Sequence, residues 1–280
     1  MSLIPKFFMD AVLSIGVRNN KGKVQWIGTG FFVMKRLNAE RYQPFLVSNK
    51  HVLVDKDQVV IRMKESDSGN IRILDVPLKE NETSLVFEHP HEDVDIAVVL
   101  LNGSYIMKNK LQFSAFDIDE HTLTSEEFLA QGGDEGSFIY MLGYPMGLVD
   151  VDSNSPICRS GCVARMSKGE IDKTKKILLD IQNFPGNSGS PIISKPEVVS
   201  ISGTKALGKC ALIGIVNSYI VYNAPVVNNL TKKVEIRSEN SGIANANPAE
   251  FIKEVVEYKM EQLFGKDYQE KFASLEGKSV

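Results

Sequence analysis

The sequence predicts an all-β protein: two six-stranded antiparallel β-barrels followed by a C-terminal helix. Three observations predict it. Short apolar runs separated by Gly-, Asn- and Pro-containing turns fill residues 11–101, and the pattern resumes over residues 137–244. Between the two sets lies a stretch made acidic by Asp117, Asp119, Glu120, Glu126 and Glu127. Apolar residues at helical spacing close the chain after Asn247. The expected division is a first lobe at 1–103, a linker at 104–135, a second lobe at 136–246 and a helical segment at 247–280.

In the first lobe, residues 11–18 form an apolar strand closed by Asn19-Asn20-Lys21-Gly22, a hairpin signal. Residues 25–35 follow, where Gly28-Thr29-Gly30 permits a bulge or a close backbone approach. Residues 44–48 lead into His51, and 58–64 and 71–78 flank the turn Ser66-Asp67-Ser68-Gly69-Asn70. Residues 85–88 and 96–101 complete a set large enough for one barrel. The acidic stretch ends at Gly132-Gly133 and is expected to be a solvated connection with a short helix.

Strands resume at 137–143, 157–166, 176–182, 190–194, 210–219 and 241–244. Asn247-Pro248-Ala249-Glu250 then offers an N-cap, a proline at the first helical position and the acid of a capping box. Ile252, Val256, Met260 and Leu263 share one helical face, expected to pack on the second barrel.

At 280 residues the chain can bury cores for two lobes. The formal charge of −3 leaves no electrostatic footprint for nucleic acid or an anionic membrane. No apolar run approaches the ~20 residues of a membrane span. The first seventeen residues are interrupted by Pro5, Lys6 and Asp10, which is not the continuous apolar core of a secretory signal. Cys158, Cys162 and Cys210 are odd in number, so they read as reduced, buried thiols of a cytoplasmic protein. Cys158 and Cys162 lack the partners of a zinc site, and His89 and His91 read as exposed loop residues with no third ligand. No metal is expected.

The chemistry concentrates in Gly186-Asn187-Ser188-Gly189-Ser190-Pro191. A serine hydroxyl attacks a carbonyl only when a base takes its proton and a carboxylate orients that base. The chain supplies His51 within Val-Ser-Asn-Lys-His-Val-Leu and Asp95 within Asp-Val-Asp-Ile-Ala-Val-Val. Asp95 interrupts an apolar run, where an acid is costly to bury unless a donor meets it. Asp93 is the rival carboxylate, and the Asp-Ile-Ala pattern favours Asp95. The glycines around Ser188 allow unusual backbone angles and keep side chains away from an approaching carbonyl.

Chain order excludes two other hydrolase classes. All four histidines, His51, His89, His91 and His121, precede Ser188, whereas an α/β-hydrolase needs its histidine after the nucleophile. A subtilisin-like order needs an aspartate before His51, and only Asp10 stands there, without a motif.

Together these motifs resemble the trypsin-like, chymotrypsin-fold serine proteases, with the bacterial HtrA-type protease domain the nearest branch. The similarity runs from Gly28-Thr29-Gly30-Phe31-Phe32 through the His51 and Asp95 motifs. It continues through Leu142-Gly143-Tyr144-Pro145-Met146-Gly147 and residues 180–191 to Ser241-Gly242-Ile243-Ala244. The resemblance implies peptide-bond hydrolysis through an acyl-enzyme in the cleft between the barrels, with no metal or organic cofactor. It assigns His51, Asp95 and Ser188 as the triad, and the Gly186 and Ser188 amides as an oxyanion hole.

Three departures bear on function. No PDZ segment follows the second lobe, Ser190 stands where the family often has glycine, and Gln182 stands where trypsin-type enzymes place the acid of the specificity pocket. Without that charge a basic P1 side chain has no counter-ion. Gln182, Gly214, Ile215, Val216 and Asn217 are the expected substrate-binding residues, with Ile215 and Val216 suggesting a small or apolar P1. The expected partner is a protein or peptide substrate. Two readings stay open beside the active protease: a latent protease fold that binds peptides or serves as a scaffold, and a protease switched on by a partner through the acidic linker or the C-terminal helix. An esterase or acyl-transferase would carry the same triad.

Overall fold

The turn at Asn19 to Gly22 forms as its residues favour, with Asn19 and Gly22 closing it and Gly22 at φ 73°. It follows a short helix α1 (Lys6–Asp10) and joins β1 (Val12–Arg18) to β2 (Val24–Arg36). The structure is a computed structural model that describes residues 4–197, 203, 205–227 and 230–273. The first lobe continues with β3 (Tyr42–Ser48), the single turn α2 (Lys50–Leu53), β4 (Gln58–Lys64) and β5 (Ile71–Pro77). A small hairpin of β6 (Lys79–Glu80) and β7 (Thr83–Ser84) precedes β8 (Val86–Glu88) and β9 (Ala97–Leu100). The strands pair in the order β5-β4-β1-β2-β3-β9-β8. The end strands β5 and β8 do not pair; a cavity of about 570 Å³ lies between them, lined by Leu74, Val76 and Phe87.

The second lobe contains β11 (Phe138–Gly143), β12 (Ile157–Arg165), helix α5 (Lys168–Thr174), β13 (Ile177–Asp180), β14 (Pro191–Ser194), β15 (Leu212–Val227) and β16 (Val234–Pro248). Its strands close a barrel, β11-β12-β13-β16-β15-β14, joined throughout by antiparallel pairs. The protein is thus a mostly-β double barrel with a C-terminal helix, as its turn and strand pattern predicts. One continuous apolar cluster joins this barrel to the facing side of the first lobe, including Phe31, Phe45, Val47, Ile96, Met141, Ile193 and Ile215.

Five expectations need correction. The acidic linker is not solvated. It folds as α3 (Gly103–Lys108), β10 (Phe116–Asp117) and α4 (Ser125–Ala130), and buries Phe116, Ile118, Leu123 and Phe128. Its acids meet cations of β2: Asp117 and Glu120 contact Arg36, and Asp119 contacts Lys35. Burial alone would lower the Lys35 pKa, but bonds to Glu257 and Asp119 outweigh it and hold the ammonium above its ordinary value.

The strands expected at 210–219 and 241–244 are also far longer. β15 and β16 run on past the barrel as a paired ribbon out to Val227 and Val234. The long C-terminal helix, α6 (Glu250–Phe264), does not start from an Asn247 cap: Ala249 precedes it without a side-chain cap bond, and Glu250 instead accepts from the Ser125 amide and hydroxyl. Finally, α6 reaches back over the first lobe rather than lying on the second barrel alone. Its Glu257 holds Lys35 at 3.0 Å, and the Lys259 ammonium sits 3.4 Å from the centre of the Phe87 ring. His89 is buried under this helix rather than exposed. Its Nδ1 accepts from the His91 amide, so Nε2 carries the proton towards Glu254 at 3.0 Å. A last helix, α7 (Tyr268–Ala273), completes the described chain.

Candidate active site

His51 owes its position to its neighbours. Val52 and Leu53 are buried, which anchors α2 and leaves the imidazole half exposed on the outer side. Asn49, fully buried just before the turn, donates to the Asp95 carbonyl at 2.7 Å and ties α2 to the approach of β9. Val94 and Ile96 are both buried, so Asp95 is held between two anchors. Its Oδ2 lies 2.6 Å from His51 Nδ1, and its Oδ1 accepts from the His51 amide at 3.3 Å. A carboxylate at Nδ1 fixes the tautomer with the proton there and leaves Nε2 as the basic nitrogen. Asp93 faces His91 instead, 3.8 Å from its Nδ1. Of the two carboxylates, Asp95 is the one in contact with the His51 ring.

Ser188 is carried by a tightly braced turn of the second lobe. Gly186 and Gly189 lie at φ 97° and 86°, conformations that residues with a Cβ resist. The Asn187 amide donates to Phe184 and the Ser190 amide to Asn187, while Gly189 donates to the Val216 carbonyl of β15 at 3.0 Å. The first lobe grips the same turn: the Thr29 amide donates to the Ser188 carbonyl at 2.8 Å and the Thr29 hydroxyl to the Gly186 carbonyl at 2.7 Å. Ser48, at the end of the strand leading to His51, donates to the Thr29 carbonyl at 2.7 Å. Gly28 explains why a glycine is needed there. A Cβ on it would lie 2.9 Å from Val52 and 3.3 Å from the Ser188 carbonyl, so the neighbour of His51 and the backbone of Ser188 meet across it.

The two halves of the site therefore adjoin. Ser188 Oγ and the His51 ring are not hydrogen-bonded to each other in this structure; catalytic bonds of this kind often tighten only with substrate in place. Among the described residues, the Gly186 and Ser188 amides donate to no protein acceptor, which leaves both free for an incoming oxygen.

Asn247 is a site residue that sequence reasoning misassigned as a helix cap. It is completely buried, and its Oδ1 accepts from the Asp95 amide at 3.1 Å and from Asn217 Nδ2 at 2.9 Å. Its own Nδ2 donates to the Lys175 carbonyl at 2.7 Å. A second-lobe side chain thus crosses the cleft and holds the backbone of Asp95.

The expected substrate wall divides. Gly214 and Ile215 are paired with both β14 and β16, and Ile215 and Val216 are fully buried, so they belong to the barrel core and cannot define an apolar pocket. Among the described residues no strand pairs with the β14 side of β15 from Asn217 onwards. Gln182 is exposed beside Gly242. No group of three His, Cys, Asp or Glu residues placed to hold a metal occurs among the described residues. The cysteines are not the buried thiols expected: Cys158 is exposed, and Cys162 and Cys210 are half-buried. Partial desolvation still raises the Cys158 thiol and pushes Cys210 up to about 12, so both stay protonated at neutral pH. Among the described residues no helix is long and apolar enough to cross a membrane.

Two antiparallel β lobes with a histidine–aspartate pair in one and a glycine-flanked serine turn in the other define the serine protease fold of chymotrypsin type. Residues 28–199 match the family model described as the trypsin-like peptidase domain, and the chain belongs to that family. No curated protein matches the chain.

Proposed function

We propose that the chain is a serine endopeptidase that hydrolyses peptide bonds through an acyl-enzyme. The observation that carries the proposal is the 2.6 Å contact between His51 Nδ1 and Asp95 Oδ2, built next to the turn that holds Ser188. In this reading Ser188 Oγ gives its proton to His51 Nε2 as it attacks the carbonyl. Asp95 stabilises the imidazolium that forms, and the Gly186 and Ser188 amides receive the oxyanion. Collapse of the tetrahedral adduct expels the amine, which takes the proton from Nε2. Water then repeats the sequence and releases the acid.

A fluorophosphonate probe tests this directly: the wild-type chain at neutral pH should acquire one adduct, mapped by mass spectrometry to Ser188. An adduct at another residue would overturn the reading, as would folded protein that acquires none with or without a binding protein.

Specificity follows from the missing charge at Gln182. Gln182 is exposed and neutral, so a Lys or Arg P1 side chain finds no counter-ion there to offset its desolvation. Cleavage of a peptide library should therefore show no preference for basic P1 residues, and dominant cleavage after Lys or Arg would refute this.

One observation favours a partner-activated variant of the same reading. Asn187 lies inside the oxyanion turn with both polar side-chain atoms buried and no partner among the described residues. A buried carboxamide in that state is costly, and a rearranged turn could relieve it. Folded wild-type chain that leaves the probe unreacted until a binding protein is added would select this variant.

A further inference from the structure

We propose that the opening between β5 and β8 in the first lobe is a binding site for a free fatty acid, with the carboxylate on Lys259 and the apolar chain in the cavity beneath. The residues lining it belong to neither the triad nor the serine turn, so the site goes beyond the peptidase reading and stands without it.

The cavity exists because the sheet of this lobe is open. β5 and β8 end the strand order without pairing, so their inward side chains face a gap instead of a neighbouring strand. Along β5 the alternation turns Leu74 and Val76 inwards and Ile73 and Asp75 outwards. Leu74 and Val76 nevertheless stay half-buried, since no strand lies beyond them. Phe32, Ile61, Met63 and Val99, all buried, line the interior. A volume of about 570 Å³ is that of a small-molecule site, and a cavity with such walls holds apolar matter in preference to water.

Lys259 defines the head group. Ile252, Val255, Val256, Lys259 and Met260 follow the buried face of α6, so a lysine stands where the helical pattern calls for an apolar residue. It is 8% exposed, and its ammonium lies against the ring of Phe87 in the cavity wall. The other buried Lys and Arg side chains among the described residues are engaged by oxygen: Lys35 by Asp119 and Glu257, Arg62 by the Asp150 carbonyl. No acceptor among the described residues meets the Lys259 ammonium, and desolvation lowers its pKa. A ring face offsets only part of the cost of taking an ammonium out of water. A carboxylate would supply the missing counter-charge.

Charge and shape then select the occupant. One ammonium in an apolar lining matches one negative charge on one apolar chain. The lining has no second cation for a phosphate dianion, and its carboxylate, Asp75, is held by Arg18 at 2.8 Å. Its carboxamide, Asn102, is committed to capping α3, where Oδ1 accepts from the Tyr105 amide at 3.1 Å. A peptide, with polar groups at every residue, suits these walls poorly.

Calorimetric titration of the full chain with octanoate, decanoate and dodecanoate, each below its micelle concentration, tests the site. Dodecanoate should bind once per chain, with affinity rising about tenfold for every two carbons added along the series. Dodecanol should bind at least about tenfold more weakly than dodecanoate. Lys259→Met should weaken dodecanoate by about the same factor and leave dodecanol unchanged. Leu74→Trp, which fills the cavity from the opposite wall, should remove binding of both. If Lys259→Met does not fold, the wild-type ratio of dodecanoate to dodecanol affinity still reads the role of the ammonium. Absence of saturable dodecanoate binding overturns the proposal, and so does equal affinity for dodecanol and dodecanoate. Dodecyl phosphate binding at least about tenfold more tightly than dodecanoate rejects the fatty acid as occupant. Dodecanoate binding undiminished by Leu74→Trp places the ligand elsewhere. An apolar peptide that binds while dodecanoate does not, and that Leu74→Trp excludes, assigns the cavity to a polypeptide instead. Reaction of Ser188 with the fluorophosphonate probe bears on none of these readouts.

Discussion

Ser188→Ala should abolish peptide hydrolysis, and Asp95→Asn should lower kcat about 10,000-fold while the fold and peptide affinity are kept. The reasons differ. Alanine removes the attacking atom. Asparagine keeps the shape of the orienter but presents Nδ2 or a neutral oxygen to His51, so the ring loses both the fixed tautomer and the charge that stabilises its protonated form. The Asp95 backbone would stay in place, because it is held by Asn49 and Asn247 rather than by its own carboxylate. Steady-state kinetics on one peptide, with far-UV circular dichroism to verify folding, reads the outcome. An Asp95→Asn enzyme within tenfold of wild type would show that the carboxylate is not the orienter.

Gly186→Ala should be the most damaging change to a residue without a functional side chain. A Cβ there would clash with the Tyr144 carbonyl oxygen and lie 2.9 Å from the Met146 nitrogen, on a backbone at φ 97°. Left-handed geometry alone costs a residue with a Cβ about 1–2 kcal/mol, so the peptide should swing away and take its N–H off the oxyanion position. Loss of one such donor lowers kcat about 100- to 1,000-fold. KM should change little, since the donor acts on charge that develops after binding, and the melting temperature should fall by several degrees. Full activity with the mutant folded would remove the Gly186 amide from the oxyanion hole.

The legible parts of the molecule were those whose signals are local. The turn at Asn19 to Gly22 and the glycines flanking Ser188 state their backbone demands in their own residue types. The His51 and Asp95 motifs carry their apolar anchors beside them. What could not be read depended on partners far along the chain. Asn247 sits in a sequence that favours a helix cap, yet its carboxamide is drawn to the amide of Asp95, 152 residues earlier. The acids at 117–120 read as solvated because Lys35 and Arg36, which neutralise them, are strand residues of the other lobe. Ile215 and Val216 look alike as pocket wall or as core, and only pairing on both sides of the strand decides. The ribbon beyond Tyr219 was invisible because Asn223, Pro225 and the charges of β16 break any apolar run. A two-stranded ribbon is held by backbone bonds, which leave little mark on composition.

The return of α6 across the first lobe ties the fate of each half to the other. Neither half is complete alone: the first would lose the cover over His89 and the counter-ion of Lys35, and the second would expose the face that its neighbour conceals. Expressed as separate fragments they should be poorly soluble, and produced together they should reassemble. Heating should melt both in one step, so the cleft would disappear with the whole molecule and not before it.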